Sequence, residues 1–277
     1  MPMVSESKRQ RYEKTIAQFC LMDDTFMAKV FENNIPGTEI LLHTILENDK
    51  IKVIKAVGQY AVKNLQGRSV RLDIYAQDEQ GRHFNVEVQR LNAGALPQRA
   101  RYYVDLLDAN HFEAGKDFAR LKDCYVIFIT EQDVLGYDLP IYHIKRIIQE
   151  NGASFEDGAH IIYVNGGRRD EDTPLGRLLH DFFCTEPDEM YSKELAERTR
   201  YFKEDEGGVG EMCELMEALA REEAIEAAKE ARYEEKVQFA ERLLMRGMSI
   251  NDTVDLTKLA KEEVEQIAVR LAQKHSA

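Results

Sequence analysis

The sequence predicts a mixed α/β domain followed by a helical tail, and two observations carry that expectation. Before residue 185 the apolar residues alternate with period two in some segments and recur at helical spacing in others, whereas beyond residue 210 strong helix formers dominate. The 277 residues, 44% of them hydrophobic, suffice for one substantial core and a smaller second one.

Taken in order, Asp24 to Glu32 and Thr38 to Leu46 read as short helices, the second with Ile40, Leu41 and Ile45 along one side. Ser69 to Ala76 alternates, with Val70, Leu72 and Ile74 facing one way and Arg71, Asp73 and Tyr75 the other. His83 to Gln89 repeats the pattern, Phe84, Val86 and Val88 against Asn85, Glu87 and Gln89. Asp78-Glu79-Gln80-Gly81-Arg82 between them is a turn sequence, so the two runs form a β-hairpin. Leu96 to Phe112 has a helical period, with Pro97 in its first turn and Gly115 beyond its end. Tyr125 to Ile129 is a continuous apolar run, as expected of a strand covered on both faces, and Ile161 to Val164 repeats it more briefly. Glu211 to Met245 reads as one long helix stopping at Gly247, with an apolar stripe through Met216, Leu219, Ile225, Val237, Ala240, Leu243 and Leu244. Met248 to Val264 then has the rhythm of helix, short turn and second helix, a possible DNA reader whose turn lacks glycine and whose second helix opens on Glu262 and Glu263.

A net charge of −13 argues against coating nucleic acid by bulk electrostatics or docking on an anionic membrane, but leaves room for a local basic groove. The acid excess is concentrated: residues 186–230 hold 15 acidic and 6 basic side chains, while residues 231–277 balance at 8 and 8. The stretch Glu204-Asp205-Glu206-Gly207-Gly208-Val209-Gly210 has the glycines and like charges of a flexible link. No window approaches a membrane span, and Met1 to Glu6 lacks a signal pattern, so a cytoplasmic location is expected. Cys20, Cys124, Cys184 and Cys213 are scattered without zinc-ligand spacing and read as reduced thiols.

The hairpin carries the chemistry. If both apolar sets share one face, paired residues sum to an even number, and a five-residue loop at 78–82 makes that sum 160, so Asp73 lies opposite Glu87 with Arg71 opposite Gln89. Carboxylates with Cβ atoms roughly 5 Å apart across a ladder repel unless a cation or proton intervenes. Two readings are open for this face: carboxylates that point at water, and a site held together by a divalent ion. An all-oxygen donor set of two carboxylates, one backbone carbonyl and waters suits Mg²⁺ or Mn²⁺. Ile74, Phe84, Val86 and Val88 crowd the pair, and the following helix adds Gln98, Arg99, Arg101 and Tyr102, a basic border suited to phosphate.

Asp73 followed by Glu87-Val88-Gln89 resembles the PD-(D/E)XK nuclease motif. Arg71-Leu72-Asp73-Ile74-Tyr75-Ala76 with Phe84-Asn85-Val86-Glu87-Val88-Gln89 is similar to the PD-(D/E)XK nuclease family transposases, also called recombination-promoting nucleases. Asp24 to Phe31 looks like that family's opening helix, Arg99-Ala100-Arg101-Tyr102-Tyr103 like the helix after its active-site hairpin, and Ala240 to Ile250 like its C-terminal region. The resemblance implies a restriction-endonuclease-like fold, a mixed central sheet flanked by helices, and metal-dependent DNA endonuclease activity of mobile-element type with Mg²⁺ or Mn²⁺. It implies Asp73 and Glu87 as metal ligands with the Val88 carbonyl, and Gln89 as a catalytic group where the general motif has lysine. Glutamine can orient water or bond a phosphate oxygen but brings no charge.

Gln98 and Tyr102 fit a Q-x-x-x-Y spacing that flanks the active site in exonuclease-like relatives, and with Arg99 and Arg101 they are the expected DNA contacts. Glu32 or Glu39 are candidates for a further acidic group, and Lys52, Lys55 and Lys63 for a groove border. His43, His83, His111 and His143 share no spacing and read as structural or exposed. The expected division is a nuclease-like domain over 1–190, an acidic, glycine-rich linker over 191–210 and a helical region over 211–277. DNA is the expected partner, with self-association through the C-terminal helix and no membrane. The alternative is a catalytically weak or inactive DNA-binding or assembly protein that keeps the nuclease fold.

Overall fold

The computed structural model describes residues 6–64 and 67–275; Met1 to Ser5, read above for a signal pattern, lies outside them. The chain runs α1 (Glu6–Ala17), α2 (Asp24–Phe31), α3 (Ile35–Leu46), β1 (Val53–Val62), β2 (Val70–Asp78), β3 (His83–Gln89), α4 (Pro97–His111), β4 (Cys124–Thr130), β5 (Ile141–Ile144), β6 (Ala159–Asn165), α5 (Pro174–Phe183), α6 (Lys193–Glu204), α7 (Glu206–Met245), α8 (Ile250–Thr257) and α9 (Lys261–His275). A short 3₁₀ turn, Asn92–Ala95, joins β3 to α4.

The six strands form one mixed sheet in the order β1-β2-β3-β4-β6-β5. β1, β2 and β3 are antiparallel neighbours, β3, β4 and β6 are parallel, and β5 returns antiparallel on β6. The hairpin register is the expected one, Ile74↔Val86, Tyr75↔Asn85, Ala76↔Phe84 and Gln77↔His83, each pair summing to 160. Its loop is built on Asp78, whose carboxylate accepts the Gln80 and Arg82 amides and pairs with the Arg82 guanidinium at 2.6 Å, while Gly81 takes φ +78°.

Gly58 fixes which helix covers which face. It pairs with Ile74, and a Cβ there would collide with the Ala28 carbonyl, so α2 lies on the Ile74 face of the sheet. α4 covers the other face, burying Ala100, Tyr103, Val104 and Leu107 against Tyr75, Val126, Phe128 and Tyr163. Central strands covered on both faces account for the unbroken apolar run of β4.

The segment expected as a linker is structured. α6, capped by Ser192, buries Leu195, Ala196, Thr199 and Phe202, and α7 begins at Glu206 with Val209 and Met212 buried. The glycines serve close packing there: a Cβ at Gly208 would strike the Tyr201 carbonyl. One compact unit ends at Met212, and a second begins at Cys213 inside the same helix. In the second unit α7 stops at Met245 before Gly247 (φ +81°), and Ala240, Leu259, Val264 and Ile267 form a buried apolar cluster. The α8–α9 turn manages without glycine because Lys258 takes the left-handed conformation, φ +57°. No described helix is long and apolar enough to cross a membrane, and all four cysteines are free and buried.

Candidate active site

The acidic pair forms where the β2–β3 ladder runs out. Beyond Ile74↔Val86, the Asp73 amide donates to Glu87 Oε1 at 3.2 Å and the Val88 amide donates to Asp73 Oδ2 at 2.9 Å. Each carboxylate thus replaces a ladder carbonyl as acceptor, which holds the two acids side by side. A strand residue's N–H and C=O lie on one side of the strand, so Val88, having turned its N–H to Asp73, carries its carbonyl toward the same acid. β1 is distorted directly across from Asp73: its register passes from Gly58↔Ile74 to Tyr60↔Leu72, and Gln59 between them has φ +53°.

This face of β3 is not solvated. Glu87 has 0% exposure, and Asp73 is partly buried. Burial pushes the Glu87 carboxyl well above the ordinary range, and the neighbouring Asp73 charge pushes it further. Burial likewise raises Asp73, Asp24 adds to the rise, and the Val88 amide, Arg99 and Arg71 oppose it. Two carboxyl groups whose charged forms are disfavoured together make a site that gains from a bound cation.

The cation already present comes from α4. Arg99 donates through Nη2 to Glu87 Oε2 at 2.9 Å, through Nη1 to the Gly94 carbonyl at 2.8 Å and Gln89 Oε1 at 3.4 Å, and through Nε to the Tyr103 hydroxyl at 2.6 Å. The structure therefore brings Asp73, Glu87, Val88, Gln89 and Arg99 together. Gln98 and Arg101 are exposed on α4. Tyr102 bonds elsewhere, its hydroxyl accepting from Asn64 Nδ2 at 2.9 Å and donating to the Arg68 carbonyl. The helix face that meets the acids is the Arg99–Tyr103 pair, one position on from the Gln98–Tyr102 pair singled out by spacing.

Glu32 accepts the Gly58 amide and Glu39 the Val53 amide, so both secure the backbone of β1. The carboxylate felt by Asp73 from α2 is that of Asp24, which sequence reasoning passed over. Arg90 joins the two regions, bonding Asp23 Oδ1 at 3.0 Å and the Met22 carbonyl at 3.3 Å. Its signal was available: a basic residue immediately follows the motif. Lys55 lies over the Tyr60 and Tyr75 rings.

A mixed sheet with an acidic pair at the end of its central hairpin and helices on both faces is a restriction-endonuclease-like fold. The chain belongs to the PD-(D/E)XK nuclease family transposases, whose sequence profile matches residues 26–167, more than half of its length. No curated protein and no solved structure matches it. The matched span runs from α2 to the residues after β6 and contains the whole site.

The donors suit a hard divalent ion. Among the described residues no three His, Cys, Asp or Glu side chains converge on one point, which leaves two carboxylates, a backbone carbonyl and water. Mg²⁺ is commonly held by one or two carboxylates together with waters and substrate phosphate oxygens.

Proposed function

We propose that the protein is a metal-dependent DNA endonuclease of mobile-element, recombination-promoting type, using Mg²⁺ or Mn²⁺ held by Asp73, Glu87 and the Val88 carbonyl. The observation that carries this reading is the pair of carboxyl groups, one without exposed surface, locked together by backbone amides at the end of the ladder. A pair kept only for stability would be a poor use of buried charge, because its members repel. Asp73, Glu87 and the Val88 carbonyl would hold a divalent ion whose chemistry there would be to polarise the scissile phosphate and lower the pKa of an attacking water.

The chain's own groups do the rest. The Val88 and Asp73 amides fix the carboxylate oxygens in place before substrate arrives. Gln89, at the lysine position of the general motif, donates from its amide nitrogen to a phosphate oxygen or to the water. Gln98 and Arg101 on the exposed side of α4 contact the DNA backbone, and Tyr102, held by Asn64 and Arg68, contacts it beside them. In the net reaction the water oxygen bonds phosphorus, the ester P–O bond breaks and the departing oxygen takes a proton. The unbridged cysteines suit a reducing cytoplasm, and exposed Ile225 on α7 suits contact between copies through that helix.

Supercoiled plasmid incubated with the protein in Mg²⁺, Mn²⁺, Ca²⁺ or EDTA, beside Asp73→Ala and Glu87→Ala, tests the reading. Nicking or linearisation that requires Mg²⁺ or Mn²⁺ and is lost in both variants is expected. Intact plasmid under every condition, with DNA binding retained, would instead favour an assembly protein that keeps the fold.

A further inference from the structure

We infer that Arg99 and Gln89 together take the place of the lysine that the site lacks: Arg99 supplies the fixed positive charge from α4, and sets the Gln89 amide so that its NH₂ faces the reacting groups. The inference rests on the nuclease reading above and assigns Arg99 a positioning role in place of a surface contact to DNA.

Four observations support it. All three nitrogens of the guanidinium are engaged by protein, to Glu87, Gln89, Gly94 and Tyr103, and the group lies over the Tyr103 ring at 5.0 Å. Guanidinium is a donor only, so whatever it meets must present an acceptor. Gln89 meets it with Oε1, which leaves Nε2 as the end of the amide directed elsewhere. Finally, a Cβ at Gly94 would collide with Gln89 Oε1, so the 3₁₀ turn lies directly against that end of the amide.

The consequence is a charge-assisted donor assembled from two residues. A lysine brings donor and charge in one group; here the charge sits one hydrogen bond behind the donor and polarises it. The same guanidinium holds Glu87 Oε2, so one side chain sets the geometry of both motif positions. Tyr103, four residues on, keeps the guanidinium from swinging into solvent.

A charge-complementation cycle over R99Q, R99K, Q89K and the double variant Q89K/R99Q tests this with two readouts. The first is the urea midpoint in EDTA at one pH, which requires neither metal nor DNA. Q89K alone places a lysine beside Arg99 and is expected to lower the midpoint; in the R99Q background the same change restores a cation beside Glu87 and is expected to raise it. The second is plasmid cleavage in Mn²⁺: R99Q is expected to lose about 100-fold, R99K to lose less, and Q89K/R99Q to recover at least about tenfold over R99Q. A residue that only contacts DNA, or only props up α4, gives no reversal of sign and no recovery from a lysine at 89. Additive midpoints, or R99Q cutting as fast as wild type, would overturn the inference. If wild type cuts nothing, the nuclease reading fails separately, and the midpoint cycle alone decides whether the two positions act as one charged unit.

Discussion

Glu87 is enclosed, and its burial and the neighbouring Asp73 charge outweigh the Arg99 guanidinium beside it, so the stability of the ion-free protein must fall as these groups are forced to ionise. Both carboxyls have their folded pKa raised. The folded state therefore keeps protons that the unfolded chain releases at about pH 4. The stability this confers is complete below that range and is lost as pH rises through the raised values. Asp73→Asn keeps the size and the acceptor for the Val88 amide but removes one charge. Urea unfolding in EDTA from pH 4 to pH 8.5 is expected to show a smaller loss for the variant, which ends more stable than wild type at the alkaline end by on the order of 1 kcal/mol. Parallel curves for the two proteins would contradict the account. That Asp73 and Glu87 lie close together was legible in the sequence because strand parity and the five-residue loop give the register that the ladder adopts up to Ile74↔Val86. Their burial was not, since it depends on α4 closing over a face that alternation alone marks as polar.

At the scale of elements, the 3₁₀ turn Asn92–Ala95 is the part of the site that spacing could not reveal. Its work is done by Gly94, whose carbonyl accepts from Arg99 and whose missing side chain lets Gln89 lie flat against the turn. Gly94→Ala is expected to destabilise the protein by about 1–3 kcal/mol through overpacking. Cleavage should drop by more than about tenfold as Gln89 is displaced, while Mn²⁺ binding measured by calorimetry is retained, because Asp73 and Glu87 are untouched. Loss of Mn²⁺ affinity in step with cleavage would show that the turn supports the whole site and not Gln89 in particular. β3 and α4 were read closely from sequence because period, proline and glycine agreed there. β1 was missed because a residue with φ +53° and a register shift break its alternation, and the start of α7 was missed because its glycines and the acidic residues around them imitate a linker.

At the scale of the whole molecule, a net charge of −13 means that DNA must be met through a local patch and not through bulk attraction. Arg68, Arg71 and Arg101 are exposed, and the Arg71 charge acts on Asp73. DNA binding in Ca²⁺ should therefore weaken with salt along a log–log slope of about −3, and Arg101→Ala should reduce that slope by about 1. A slope unaffected by Arg101→Ala would place the DNA elsewhere. The family profile ends at residue 167, so the helical region beyond it, with its own small core, is where specificity or pairing of copies is to be sought.

The central claim is that Asp73, Glu87 and the Val88 carbonyl hold a divalent ion. Crystals soaked in Mn²⁺ and measured at a wavelength where manganese scatters anomalously test it most directly. The account predicts an anomalous peak between the two carboxylates that is absent from Asp73→Ala crystals; a fully soaked crystal with no peak there, or with its only peak at another site, would contradict it.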